Sequence, residues 1–128
     1  MSSNARGKHI FLDYSEFFPA PSFNGDSMLE LMKKAVANSS AREVHAHVEV
    51  FDGTVSPPGF AAVVLIDESH VSAHCYLDRG LLAIDAFTCG GTDPQVIVSQ
   101  LKDALLQHCP GIVLMQEKCV NRFLFSED

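Results

Sequence analysis

Four strand-like segments follow one another between residues 44 and 87, with no helical pattern between them. Residues 44–50 alternate apolar and polar side chains, which is typical of a strand with one face toward a core. The apolar run at 60–66 predicts a buried strand, and the extended segment 67–76 and the segment 81–87 follow it. Their connections are too short for the crossover that parallel strands need. The sequence therefore predicts an antiparallel sheet.

Two amphipathic helices flank this region. Asp26 or Ser27 can cap the first helix, and Asp93-Pro94 begins the second with a cap and a proline at the first helical position. Helical spacing predicts the buried face of the first helix: Met28, Leu31, Met32, Ala35 and Val36. It predicts the buried face of the second in the same way: Val96, Ile97, Leu101, Ala104 and Leu105.

Strands expected at 8–13 and from residue 112 complete the order β-α-β-β-β-β-α-β, after a polar tail at 1–8. We expect one α+β domain over residues 1–128, a two-layer sandwich with an antiparallel sheet covered by two helices on one face. The other face must then meet water or a second copy of the chain.

Charge and cysteine content exclude several classes of function. Nine basic against sixteen acidic residues give a net charge of −7, and no basic cluster exceeds Lys33-Lys34, so nucleic acid is not an expected partner. The sequence lacks an apolar segment as long as a membrane span and a signal-peptide pattern, so we expect no membrane association and a cytoplasmic location. The four cysteines have no C-x-x-C spacing, and we expect free thiols.

Residues 67–76 concentrate the side chains that could carry chemistry. Ser69 is the third residue of this segment, and Cys89 stands at the end of the next strand. Alternation places four side chains on one strand face: His70, Ser72, His74 and Tyr76. In one interpretation, Ser69 or Cys89 is a nucleophile and a histidine of this segment, His70 or His74, is its base.

Two other interpretations of the histidines stay open. In the second, four imidazoles form a metal site, because an H-x-H pattern projects two of them from one strand face: His45, His47, His70 and His74. In the third, they are ordinary polar residues on a solvated sheet face.

Two motifs stand at a fixed distance from each other. The first is Glu68-Ser69-His70 followed by His74, and the second is D-A-F-T-C-G at 85–90. Both motifs and their spacing resemble those of bacterial and archaeal S-adenosylmethionine decarboxylase proenzymes. The resemblance covers most of the chain, including Gly7-Lys8-His9 and the Asp93-Pro94 helix start.

The resemblance implies a self-cleaving, pyruvoyl-dependent decarboxylase. The Ser69 hydroxyl would attack the Glu68 carbonyl, and cleavage between these residues would give chains 1–68 and 69–128. Ser69 would become a covalent pyruvoyl group, which forms a Schiff base with the amine of a small amino-acid substrate.

The resemblance also implies roles for neighbouring residues. His74 matches the histidine that assists processing, and Cys89 matches the cysteine that donates a proton to the product. His70 matches a family position for which structural and substrate-binding roles are both open. Ala61 stands where the family has a serine that cooperates in cleavage, a departure that bears on processing.

Further departures lie among the residues expected to bind substrate. Tyr76 replaces a tryptophan that lies near the substrate, and Asp78 replaces a glutamate. An adenine-stacking phenylalanine of the family falls on Val55 in an ungapped alignment, and on Phe51 only after a shift.

These features define three hypotheses. The first is a decarboxylase of S-adenosylmethionine in spermidine biosynthesis, the second a decarboxylase of ornithine or arginine, and the third an uncleaved regulatory homologue. The family also implies a homodimer of cleaved protomers with active sites at or near the interface.

Overall fold

The computed structural model describes residues 5–124, which form one six-stranded antiparallel sheet and two helices. The strands are β1 (Ala5–Ser15), β2 (Glu43–Phe51), β3 (Gly59–Ile66), β4 (Ser69–Tyr76), β5 (Leu81–Cys89) and β6 (Val113–Leu124), and the helices are α1 (Gly25–Ala37) and α2 (Pro94–His108). This confirms the predicted fold class and the predicted order of elements. Of the expected polar tail, residues 5–8 belong to β1, whereas residues 1–4 lie outside the described part of the chain.

The spatial order of the strands is β2-β3-β4-β5-β1-β6. The first strand of the chain therefore lies between two strands of the second half, and it pairs antiparallel with both. From β2 to β5, each strand pairs antiparallel with the next strand along the chain and forms a hairpin with it.

Both helices pack on one face of the sheet. In β3 the burial of the side chains alternates, although all of them are apolar. Phe60, Ala62, Val64 and Ile66 are buried, while the side chains between them are partly exposed. The reason is that only one face of the sheet is covered by helices. Large, fully buried side chains from the strands, the helices and the segment after β1 form the core: Leu12, Phe17, Met28, Met32, Leu82, Ile84, Ile97, Leu101 and Leu105.

The helix ends and faces differ from the prediction in two places. Asn24, not Asp26 or Ser27, caps α1, because its Oδ1 accepts the Ser27 N–H at 3.0 Å while the Ser27 Oγ accepts the Asn24 N–H at 3.1 Å. In α2 the predicted Asp93 cap is present, but Val98 is buried and Val96 is exposed.

We call the sheet surface opposite the helices the open face. It carries polar, aromatic and aliphatic side chains, and no helix of the described chain covers it. Its members follow from the strand register: His9, Phe11, Asp13, Ala61, Val63, Leu65, His70, Ser72, His74, Ala83, Asp85 and Phe87. Within residues 5–124 neither helix is long and apolar enough to cross a membrane, and all four cysteines are free.

Candidate active site

A two-residue turn joins β3 to β4 and presents the expected cleavage site. Ile66 pairs with Ser69, so Asp67 and Glu68 form the turn. Glu68 has φ 62°, a left-handed conformation that is costly for a residue with a Cβ. The guanidinium of Arg42, which precedes β2, donates two hydrogen bonds of 2.9 and 2.8 Å to the Asp67 carboxylate. This contact lowers the pKa of the Asp67 carboxyl. The bond before Ser69 thus follows a strained residue in an anchored turn.

Ser69 and Cys89 meet where β4 begins and β5 ends. The backbone N–H of Cys89 donates a hydrogen bond to the buried Ser69 Oγ at 2.9 Å. The bond fixes the hydroxyl oxygen and leaves the hydroxyl proton available to a base. The structure therefore joins two of the predicted site residues by direct contact.

Gly7 of β1 lies opposite Cys89 and leaves space for its thiol. A Cβ at residue 7 would lie 3.3 Å from the Cys89 Sγ and 3.1 Å from the Phe87 Cε1. Contacts this short require a neighbour to move. The sequence analysis named Gly7 only as part of the matching start of the chain.

A cavity of about 700 Å³ opens beside this pair. Its volume lies within the range of sites for small molecules. It is lined by Arg6, Glu68, Cys89, Gly90 and Phe123. The cavity thus contains the residue before the cleavage bond and the expected proton donor, together with two residues that sequence reasoning did not single out, Arg6 and Phe123.

Polar side chains on the open face lie next to this end of the sheet. His9 Nε2 is 2.8 Å from Asp85 Oδ1, and the His70 ring centroid is 5.6 Å from that of Phe87. Burial, and secondarily the charge of His9, lower the pKa of His70. Burial thus favours the neutral form of the His70 imidazole, which is the form that can accept a proton. The His9–Asp85 pair was missed, although the motifs quoted above contain both residues.

The other predicted site residues lie at the opposite end of β4. His74 follows Ser69 by five positions, and a rise of roughly 3.3 Å per residue puts about 17 Å between them. Tyr76 lies farther along and, with Phe51 and His74, lines a separate cavity of about 260 Å³. Asp78 is exposed in the following turn. Within one chain these four side chains do not reach Ser69.

The positions that depart from the family pattern also lie at this far end. Ala61 is the cross-strand partner of His74, so a side chain at residue 61 is a direct neighbour of that histidine. Val55 is 98% exposed in the loop between β2 and β3. Val55 lines neither of the two cavities described above; with Phe51 it borders a third cavity, of about 330 Å³, in this loop.

The metal-site interpretation of the histidines finds no support among the described residues. Residues 5–124 contain no group of three or more potential ligands that could hold a metal ion, and His45 and His47 stack with each other on β2 at 6.4 Å. Cys75, which lies on the buried side of β4, has no role in the predicted site, and burial raises the pKa of its thiol to about 12.

The fold and this site together define a small two-layer α+β domain with a serine and a cysteine at one sheet end. A crystal structure of the adenosylmethionine decarboxylase from Aquifex aeolicus VF5 has the same fold, with a TM-score of 0.71 and 23% identity over 99% of this chain and 98% of that one. The chain belongs to the S-adenosylmethionine decarboxylase family, whose profile it matches over residues 8–115.

Individual relatives agree with this assignment. An S-adenosylmethionine decarboxylase proenzyme of Symbiobacterium thermophilum is 36% identical over 106 residues, 82% of this chain and 77% of the relative. A proenzyme of the same name from Thermodesulfovibrio yellowstonii is 26% identical over 118 residues, 91% of this chain and 84% of the relative. The resemblance stated from the sequence motifs is confirmed.

Proposed function

We propose that this chain is the proenzyme of a pyruvoyl-dependent S-adenosylmethionine decarboxylase, whose product donates aminopropyl groups in spermidine biosynthesis. The observation that carries the proposal is the 2.9 Å hydrogen bond between the Cys89 N–H and the Ser69 Oγ, directly after the strained Glu68. Membership of the family supports the same activity.

Self-cleavage follows from the chemistry of the turn. The Ser69 oxygen attacks the Glu68 carbonyl carbon, the peptide C–N bond breaks, and an ester joins the two residues. Loss of the Ser69 α-proton then expels the Glu68 carboxylate and leaves dehydroalanine. Water hydrolyses the dehydroalanine to a pyruvoyl group and ammonia. The products are chains 1–68 and 69–128.

The residues around Ser69 fit a pyruvoyl group. Ser69 begins a strand, so a new chain end there stays held by the β4 ladder, and the residue before it, Glu68, and its hydrogen-bond partner, Cys89, line the cavity of about 700 Å³. The group supplies an electrophilic carbonyl that takes up the substrate amine and accepts the electron pair left when carbon dioxide departs.

Cys89 is the proton donor in this proposal. Its Sγ lies at the same end of the sheet as Ser69, over the space that Gly7 leaves open. Its side chain is half-buried and lines the cavity, so it can hold a proton at Sγ and deliver it to the substrate carbon.

We further propose that the functional unit is a homodimer formed through the open face. Phe51, His74 and Tyr76 lie together but far from Ser69, so one chain lacks a complete site. A two-fold related copy packed face to face, with its strands reversed, brings the far end of one sheet over the Ser69 end of the other. Tyr76, Asp78 and Phe51 of one protomer would then bind substrate at the Ser69 of its partner.

The same arrangement explains how His74 can assist cleavage. In this proposal His74 of one protomer accepts the Ser69 proton of the other. His70 is the alternative base within one protomer: it follows Ser69 directly at the same end of β4, although its side chain lies on the open face, and burial lowers its pKa. The two candidates differ in whether cleavage requires a second chain.

Intact mass measurement tests the cleavage. We expect two chains divided between Glu68 and Ser69, the second lighter than a serine-started chain by the mass of ammonia. Incubation with S-adenosylmethionine should release carbon dioxide, and borohydride should trap the substrate on chain 69–128. Ser69→Ala should stay uncut and inactive, whereas Cys89→Ala should still be cut but lose most turnover.

Co-expression of two variants that are each impaired in cleavage tests the dimer. His74→Asn keeps Ser69 and should be cut slowly alone. Mixed with Ser69→Ala, which keeps His74, it should regain cleavage if the histidine acts across the interface. Equal cleavage of His74→Asn with and without Ser69→Ala, together with loss of cleavage in His70→Asn, would instead assign the base to His70.

Specific observations favour two other outcomes. Val55 is fully exposed, which favours a site for a smaller amino acid such as ornithine or arginine, and turnover of these without S-adenosylmethionine would establish it. Ala61 beside His74 cannot donate or accept a side-chain hydrogen bond, which favours an uncleaved regulatory homologue. A single uncut chain after long incubation would support that alternative.

A further inference from the structure

The end of β6 forms part of the cavity beside Ser69, and the proposed mechanism gives it no role. Phe123 is the one aromatic residue among the five that line this cavity. The family profile matches residues 8–115, so this wall lies beyond the matched segment. Phe123 is 61% exposed, so most of its ring is uncovered by the described chain.

The backbone turns Phe123 away from its regular strand orientation. Gly7 pairs with both Cys89 and Arg122, which places the Arg122 side chain on the open face. Alternation would send the next side chain to the helix side. Phe123 instead has φ 55°, and its ring centroid lies 5.7 Å from that of Phe87 on the open-face side. Non-glycine residues at positive φ concentrate at functional sites.

Two contacts hold this strand end in place. The Arg122 guanidinium lies 5.6 Å from the centroid of the Phe87 ring, and Phe123 packs on the same ring at a tilt of 58°. Phe87 is two residues before Cys89 on β5. These contacts therefore place the Phe123 ring beside Phe87 and near the proposed proton donor, Cys89, which lines the same cavity.

We propose that Phe123 contacts the substrate and helps to determine which amino acid is accepted. This inference rests on the proposed function. An amino acid whose amine is bound at Ser69 and whose Cα faces Cys89 must extend its side chain into the remaining cavity, where Phe123 forms an apolar, aromatic wall. Such a wall favours a side chain with a planar or cationic group.

Steady-state kinetics of the processed enzyme with S-adenosylmethionine test the inference. Phe123→Ala should lower kcat/KM by roughly 5- to 50-fold, mainly through KM, as expected for loss of an aromatic contact. Phe123→Leu, which keeps apolar area, should lose less. Leu124→Ala is the matched control, since the Leu124 side chain is next to Phe123 in sequence, is 72% exposed and lines no part of the cavity. The KM of this variant should stay within about twofold of wild type.

A structural role for Phe123 predicts a different result. If the ring only packs on Phe87, Phe123→Ala should lower the thermal midpoint and leave KM equal to that of Leu124→Ala. That outcome would overturn the inference.

Failure of the proposed function can be recognised separately. If wild type is not cut or does not turn over S-adenosylmethionine, binding is measured by calorimetry in the Ser69→Ala background, with Phe123 present or replaced by alanine. The probes are S-adenosylmethionine, L-ornithine and L-arginine. Weaker binding of any of them without Phe123 supports the inference. Equal affinity in both proteins, or no binding of the three probes, refutes it.

Discussion

The left-handed conformation of Glu68 leads to a quantitative prediction about cleavage. A residue with a Cβ at φ 62° is disfavoured relative to glycine by about 1–2 kcal/mol. Attack by Ser69 breaks the planar peptide link that follows Glu68, so the strain is present before the reaction and can relax during it. Glu68→Gly should remove this strain from the starting state.

The expected magnitude follows from the strain energy. Removing 1–2 kcal/mol from the starting state should slow cleavage about 5- to 30-fold, at roughly 1.4 kcal/mol per factor of ten. Glu68→Ala is the comparison that isolates the Cβ, because it removes the carboxylate but keeps the strain. The assay follows the fraction of cut chain by mass after expression and purification at low temperature.

A second positive-φ residue provides the control. Glu16 has φ 57° and is exposed in the segment after β1, away from the Ser69 turn. Glu16→Gly should relieve a similar strain and stabilise the fold by at most about 1 kcal/mol, since glycine also loses more backbone entropy on folding. It should leave the cleavage rate unchanged. Equal cleavage rates for Glu68→Gly and Glu68→Ala would refute the role of strain.

Three further predictions concern separate residues. Gly7→Ala adds a Cβ in contact with the thiol of Cys89, so it should lower kcat by about tenfold or more while cleavage continues. Carbon dioxide release measures kcat, and the ratio of cut to uncut chain measures cleavage. The lowered pKa of His70 means that the unfolded state binds more protons below the ordinary value of 6.5, so stability should fall as pH drops through that range. Urea titrations at several pH values give the free energy of unfolding, which should depend less steeply on pH in His70→Gln than in wild type. An unchanged pH dependence would contradict this reasoning. In alkylation at pH 8, exposed Cys119 should react first and Cys75, with a pKa of about 12, should stay protected in the native protein; rapid labelling of Cys75 would count against its burial.

Local patterns predicted most of the fold. Alternation at 44–50, the apolar run at 60–66 and the Asp93-Pro94 helix start each depend on neighbouring residues, and each appears in the structure as an element. The cap of α1 was misassigned because three residues of a type that caps helices lie within four positions: Asn24, Asp26 and Ser27. Asn24 is preferred because it forms a reciprocal pair with Ser27.

The arrangement of the site depended on contacts distant in sequence. Ser69 and Cys89 match a spaced motif, and the structure joins them. Ser69 and His74 match the same motif, yet β4 holds them about 17 Å apart within one chain, because spacing in a motif does not give distance in the fold. Phe123 was missed because β6 is exposed along its whole length and has no marked hydrophobic period.

The position of β1 bears on what cleavage does to the molecule. Once the bond before Ser69 is cut, β1 to β3 and α1 belong to one polypeptide, and β4 to β6 and α2 belong to the other. Because β1 lies between β5 and β6, while β3 pairs with β4, the two polypeptides are interleaved and cannot part without opening three ladders. Unfolding of the cut protein also releases two molecules in place of one, so its midpoint should rise with protein concentration, whereas that of the uncut chain should depend on concentration only through its association with other copies.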